Sequence, residues 1–364
     1  MAKGINLNNL KNQNRSSLLY LLNTYGELSR KELSKKLNLT PAAITKIVQE
    51  LIESNDVKEG LSISKGLGRK EVLVSLNLED KLLYGLNVEM DHITLSFSTF
   101  SGKLINRKII PFSNDFTYVI KEAKDYYLLN NIDVQVISLC IIGNLDGFGV
   151  YKDIDYQKIL EETFNKKVIV SNNVKAFATA GLIYDNKKEE DSLLFFKWGP
   201  GIGSSIVSNG RVVTGNDYSS TEIGHYIIHP LSEKKCRCGR KGCLETEVSL
   251  KEILNQVKQS GKDLTIEEIL ESKDEEIIKL IDSKINLSAL ALVNTATILN
   301  VHDIVLFGSM FNNPTFAEKF ISKCLKLNPT LTKENIRVSA LNSSSGYIGA
   351  CAIAAQQLFF EKGI

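Results

Sequence analysis

His225, Cys236, Cys238 and Cys243 all fall between Thr221 and Glu247, and they account for three of the chain's six cysteines and one of its four histidines. Neutral imidazole and thiolate are donors that zinc favours. One histidine and three cysteines close a tetrahedron and leave no coordination position for a substrate, so such a site is structural rather than catalytic. The Cys-x-Cys spacing, followed by Gly239 and Gly242, predicts a short knuckle that turns around a small ion. In a lysine-rich chain without a secretory segment, clustered cysteines point to metal rather than to a disulfide. His229 is an alternative ligand to His225. Glu222 and Glu245 flank the cluster with carboxylates on either side.

The same stretch resembles the signature of the ROK family (repressors, open reading frames, kinases): Glu222-x-Gly-His225, then Cys236-x-Cys238-Gly-x-x-Gly-Cys243-Leu-Glu245. The interval from His225 to Cys236 is one residue longer than the family's usual pattern. The resemblance implies an α/β body with a two-lobed, actin-like sugar-kinase fold. It implies zinc on His225, Cys236, Cys238 and Cys243, one per chain. It also implies a sugar against Glu222, His225 and Glu245, to which Asn172 and Asn173 are added because amides, like carboxylates, suit multiple hydroxyls. His225 would give one nitrogen to zinc and offer the other to the sugar, the metal fixing its tautomer.

Kinase chemistry is not expected. In the family's kinases the first hairpin of the body is a phosphate loop of the form Asp-x-Gly-Gly-Thr. Here the matching residues run Asn87-Val-Glu89-Met-Asp91, without the glycines that let backbone amides wrap a phosphate. Those kinases also carry Asn-Asp where this chain has Asn172-Asn173. The aspartate is their general base, and an amide has no accessible protonation near neutral pH with which to replace it. Gly199, Gly201 and Gly203 match the second phosphate loop only in part, and a tight turn between strands explains them equally well.

The elements that must position these groups are legible in outline. Asn12 to Leu22 reads as a helix. Ser29 and Glu32 form a capping box that opens a second helix, which turns at Asn38 and Leu39. Thr40 caps a third helix with Pro41 at its first position, and Ile44, Ile47, Val48, Leu51 and Ile52 follow at helical spacing. A β-hairpin over 57–76 with the glycine-rich, basic tip Lys65 to Lys70 completes a winged helix-turn-helix. The run from Leu10 to Leu76 resembles the N-terminal domain of ROK repressors, which ROK kinases lack.

On the third helix, Thr40, Ala42, Ala43, Thr45 and Lys46 lie near the end that meets base edges, where methyl groups can meet thymine. Arg15, Arg30, Lys31, Lys35 and Lys46 suit phosphates, which fix register without reading sequence. Arg69, at the wing tip, suits a phosphate or a minor groove.

Strands follow over 82–88, 93–99, 134–142, 168–171 and 192–197, with an alanine-rich helix over 174–184, a charged helical segment over 249–284, a buried helix over 287–299 and a final helix over 346–360. The expected division is a DNA-binding domain over 1–78 and a sugar-sensing domain over 79–364, its final helix packing back on the first lobe.

Length and charge agree with two or three domains and one basic end. Residues 1–78 hold 12 lysines and arginines against 7 acidic residues, whereas the whole 364-residue chain carries only +2. No apolar run reaches the roughly 18 residues a membrane span requires, so a cytoplasmic protein with no membrane partner is expected. The reading is a sugar-responsive repressor of carbohydrate-metabolism genes, not an enzyme. Its expected partners are operator DNA and a xylose- or glucose-type effector, and it is expected to form a homodimer or homotetramer on a palindromic site. The competing readings are a ROK sugar kinase and a regulator governed by a partner protein.

Overall fold

The computed structural model describes residues 7–63, 70–142, 151, 154–185, 192–208, 211–213, 221–342 and 345–360. Arg69 and the other wing-tip residues before Lys70 lie outside them.

The chain begins with helix α1 (Leu7–Tyr25), longer at both ends than the leucine spacing predicts. Strand β1 (Leu28–Ser29) leads into α2 (Arg30–Leu37), where the Glu32 amide donates to Ser29 Oγ at 3.3 Å and the Ser29 amide donates to the Glu32 carboxylate at 2.8 Å. This is the expected capping box. Asn38, left-handed at φ 52°, ends the helix. Helix α3 (Pro41–Glu53) starts from a Thr40 cap and buries Ile44, Ile47, Val48 and Leu51. Strands β2 (Val57–Ile63) and β3 (Glu71–Leu76) pair antiparallel as the wing. β1 adds to β3, a third strand too short to carry a period in the sequence.

The body is one arrangement built twice. In the first lobe β4 (Leu82–Val88), β5 (His92–Thr99) and β6 (Leu104–Pro111) form an antiparallel meander. After α4 (Phe116–Asn130), β7 (Val136–Ile141) pairs parallel to β4, and after α5 (Tyr156–Phe164), β8 (Val168–Asn172) pairs parallel to β7. The sheet order is β6-β5-β4-β7-β8. After α6 (Asn173–Ala180) the second lobe repeats it with β9 (Ser192–Trp198), β10 (Ile202–Ser208) and β11 (Arg211–Val212). Helices α7 (Leu244–Val248), α8 (Leu250–Gln259), α9 (Ile266–Glu271) and α10 (Glu275–Leu299) then precede β12 (Asp303–Phe307), and α11 (Pro314–Leu327) precedes β13 (Ile336–Val338). The order β11-β10-β9-β12-β13 reproduces the first sheet. The duplicated α/β plan, with a cleft between its halves, is the expected two-lobed architecture.

Each lobe lends its last helix to the other. Helix α6 follows β8 of the first sheet but packs on β10 and β11 of the second. Helix α12 (Ser345–Ala355) follows β13 of the second sheet but packs on β4, β5 and β7 of the first, and α6 and α12 pack on each other. Both end in a single π-helical turn, Gly181–Asp185 after α6 and Gln356–Phe360 after α12.

The winged helix sits against these two ends. One continuous hydrophobic cluster runs from Leu18, Leu33, Ile44 and Val74 to Ile183, Ile353 and Phe359. Asn23 Nδ2 donates to the Ile183 carbonyl at 3.1 Å. Among the described residues no helix is long and apolar enough to cross a membrane.

Candidate functional site: a cysteine cluster beside an interlobe cleft

The four groups predicted as metal ligands converge. One donor atom from each of His225, Cys236, Cys238 and Cys243 lies within 4.8 Å of all the others. His225 Nδ1 stands 3.4 Å from Cys236 Sγ, and Cys238 Sγ stands 3.6 Å from Cys243 Sγ. A tetrahedron with zinc–sulfur bonds of about 2.3 Å has edges of about 3.8 Å, so the donor set fits such an ion in type, number and spacing. His229 is not part of it. Its side chain is mostly exposed and its Nδ1 lies 4.0 Å from Glu247.

The loop's own hydrogen bonds bring these groups together. The Cys236 amide donates to the Arg240 carbonyl at 2.8 Å and the Gly239 amide to the Cys236 carbonyl at 3.0 Å, making the knuckle. Gly242 has φ 69°, and a β-carbon there would stand 2.0 Å from the His229 carbonyl oxygen, so the close approach requires glycine. Buried Glu247 anchors the preceding turn by accepting from Ser232 Oγ at 2.6 Å. Burial lowers the His225 pKa and pushes the Cys243 thiol up to about 12. At the loop's start, Thr221 and Ser204 exchange hydroxyl-to-carbonyl bonds of 2.8 and 2.6 Å, which fasten it to β10.

Next to the cluster a cleft opens between the lobes. Asn172, Asn173, Glu222 and Glu245 line it, four of the five residues expected to hold a sugar; the fifth, His225, belongs to the metal cluster and is not among the lining residues. Asn172 also works as the cap of α6, its Oδ1 accepting from the amides of Val174 and Lys175 at 2.9 and 3.1 Å. Asn173 is 3% exposed, and its Nδ2 donates to the Val88 carbonyl at 3.3 Å. Glu245, placed by α7 two residues after Cys243, accepts from the Ile202 amide at 3.3 Å and faces Arg237 Nε at 3.4 Å.

Sequence reasoning did not foresee Lys175, Lys197 and Arg237 in this cleft. Lys197 Nζ meets both oxygens of Glu89 at 2.6 and 2.7 Å, with both side chains buried, and lies 4.7 Å from the centre of the Phe177 ring. A lone lysine at the end of an apolar strand was the available signal, and nothing in its spacing pointed across the cleft. The glycine run after β9 is a plain hairpin turn, closed by the Gly199 amide on the Gly201 carbonyl at 3.1 Å.

On the winged helix, Thr40, Ala42, Thr45 and Lys46 are exposed and Ala43 is half-buried along α3. Arg30 and Arg15 are engaged within the protein. Arg30 pairs with Glu59 on β2 at 2.7 Å, which ties α2 to the wing, and Arg15 pairs with Asp56.

Residues 139–357 match the ROK family. The DNA-binding transcriptional dual regulator NagC of Escherichia coli K12 is 25% identical over 275 residues, which is 70% of this chain and 68% of that protein. The xylose repressor of Bacillus spizizenii is 23% identical over 324 residues, 84% of each chain. Among solved structures, a ROK family transcriptional regulator described as a homolog of E. coli MLC superposes with a TM-score of 0.78, at 22% identity and 97% coverage of both chains. The ROK hexokinase of Thermus thermophilus superposes with a TM-score of 0.62, covering 76% of this chain and 99% of its own.

Proposed function

The chain belongs to the ROK family, and on that premise we propose that it is a sugar-responsive transcriptional repressor of carbohydrate-metabolism genes that has no kinase activity. The observation that carries this reading is the joining of two parts. A winged helix with an exposed recognition helix is built by one continuous core onto a two-lobed body. In that body the position of the kinases' general base is Asn173, whose amide nitrogen donates to a backbone carbonyl. Relatives named N-acetylglucosamine repressor and xylose repressor support the same reading.

In this proposal residues 1–78 bind double-stranded operator DNA and residues 79–364 sense the sugar. Thr40, Ala42, Ala43, Thr45 and Lys46 face base edges, and Arg69 contacts the backbone or minor groove. Arg30 positions the wing through Glu59 and reaches DNA only if it leaves that pair. Asn172, Asn173, Glu222 and Glu245 hold the sugar, with His225 approaching from the metal side. The ion is zinc, held by His225, Cys236, Cys238 and Cys243, and it fixes the loop that carries Glu245. Two copies on a two-fold axis would match a palindromic operator. Sugar favours one angle between the lobes; if that angle spaces the recognition helices wrongly, DNA is released, and by reciprocity DNA weakens the sugar.

Fluorescence anisotropy on duplex DNA from the promoter beside the chain's own gene tests this. Salt-sensitive binding that one sugar reverses is the expected result. ATP-dependent turnover of a sugar that survives repurification, without specific DNA binding, would return the protein to the kinases.

A further inference from the structure

The charges around the cleft specify more than a sugar. Six charged side chains line it: Glu89, Glu222 and Glu245 against Lys175, Lys197 and Arg237. Their formal charges cancel, and two pairings between them are shown. Lys197 is held by both oxygens of Glu89 at 2.6 and 2.7 Å, and Arg237 stands 3.4 Å from Glu245. Lys175 and Glu222 are engaged as well.

The Glu89–Lys197 pair crosses the cleft, since Glu89 lies in the turn between β4 and β5 and Lys197 lies on β9. Both side chains are about nine-tenths buried, at 11% and 10% exposure. A phosphate entering here would have to displace Glu89 from Lys197 and leave a buried carboxylate beside a second anion. Desolvation and like-charge repulsion both oppose that arrangement.

Three of the backbone donors beside the cleft are committed as well. Phosphate-binding loops depend on amides that point outward with nothing to donate to. At the two turns facing the cleft, the Glu89 amide is spent on the His92 carbonyl at 2.8 Å and the Gly199 amide on the Gly201 carbonyl at 3.1 Å. The Ile202 amide is spent on the Glu245 carboxylate at 3.3 Å. A neutral polyol makes different demands. Its hydroxyls can donate to the carboxylates of Glu222 and Glu245 without bringing a second charge into the cleft.

We propose that the effector held in this cleft is an uncharged sugar, and that the Glu89–Lys197 pair excludes phosphorylated sugars and nucleotides from it. The inference rests on the cleft being the effector site.

Calorimetric titration of the full chain tests it with D-xylose, D-glucose and N-acetyl-D-glucosamine, each against a phosphate ester of the same sugar, and with ATP. One neutral sugar should bind at least 100-fold more tightly than its phosphate. In Glu89→Gln the gap should narrow at least tenfold, because Lys197 is then available to a phosphate. A phosphate that binds the unaltered protein as tightly as its parent sugar overturns the exclusion and leaves a sugar-sensing cleft standing. A gap unchanged in a folded Glu89→Gln variant overturns the role of the pair. Should that variant fail to fold, the unaltered protein still decides the matter. If no sugar of either kind binds, the sensing function itself fails, and this inference with it.

Discussion

Asn173 is buried at the start of α6 and donates to the Val88 carbonyl at 3.3 Å, so its amide is part of the fold as well as a wall of the cleft. Aspartate there would set a carboxylate against a carbonyl with no donor between them. Leaving such groups unsatisfied costs about 1–3 kcal/mol. Asn173→Asp should therefore lower the urea midpoint at neutral pH. Burial would raise the new carboxyl's pKa above its unfolded value, so the loss should shrink as pH falls and the protonated acid donates again. The variant should gain no ATP-dependent phosphorylation, because the β4–β5 turn still has no glycine and Glu89 stays paired with Lys197. A urea midpoint equal to that of the unaltered protein at both pH 8 and pH 5 would show that the hydrogen bond contributes nothing. Cys238, on the same scale, is the half-exposed member of the cysteine cluster, and its loss leaves three donors where a structural ion needs four. Metal analysis of Cys238→Ala should fall from about one zinc per chain to almost none, with a lower melting temperature. Full zinc content and unchanged melting would remove the metal from the site.

The helices that cross between the lobes hold the cleft together, and they do so through missing side chains. Gly85 on β4 faces α12 so closely that a β-carbon would stand 2.8 Å from that of Ala350 and 3.0 Å from Ser96 Oγ. Alanine is ordinarily no worse than glycine in a strand, so the sign of Gly85→Ala is decided by packing. Overpacking of this kind costs about 1–3 kcal/mol, and denaturation should show that loss; a neutral or stabilising result would mean that α12 is free to shift. Features set by neighbouring residues were legible in the sequence: the Ser29–Glu32 capping box, the Thr40-Pro41 start of α3, the cysteine knuckle and the buried strands β7 and β9. Features set by partners far along the chain were not. Strand β6 is an edge with mostly exposed residues and no clean alternation, and the two-residue β1 exists only because β3 lies beside it. The charged stretch 249–284 reads as one segment but breaks into α8, α9 and the start of α10 at caps on Ser249, Thr265 and Asp274. Within the cleft, resemblance pointed to Glu222 and Glu245, whereas Lys197 acquires its meaning only when the fold brings Glu89 to it from 108 residues away.

At the scale of the whole molecule the question is how a cleft event reaches the winged helix. Asn173 begins α6 at the cleft, and the π-helical turn that ends the same helix accepts a hydrogen bond from Asn23 on α1. The turn that ends α12 packs on α1 as well. The winged helix is thus seated on the ends of the two helices exchanged between the lobes, and a change of lobe angle would move its seat. Asp56, just after α3, fastens that seat. Its carboxylate meets Lys81 Nζ at 2.6 Å, Ser54 Oγ at 2.6 Å and the guanidinium of Arg15, while Lys81 lies 5.0 Å from the Phe359 ring centre. Asp56 and Lys81 are 9% and 7% exposed, so removing the acid strands a buried ammonium. Breaking such a pair costs about 3–5 kcal/mol. Asp56→Ala should lower the stability of the winged helix and weaken operator binding, because α3 then loses the anchor at its C-terminal end. The cleft lies elsewhere, so calorimetry should find sugar affinity in the absence of DNA unchanged. Coupling is reciprocal: a winged helix that no longer follows the lobes cannot report the sugar, and the sugar can no longer feel the DNA. The sugar-dependent change in operator affinity, read by anisotropy with and without a saturating effector, should therefore shrink toward none. If Asp56→Ala weakens DNA binding yet keeps the full sugar response, the signal travels by another route, and the ionic anchor serves stability alone.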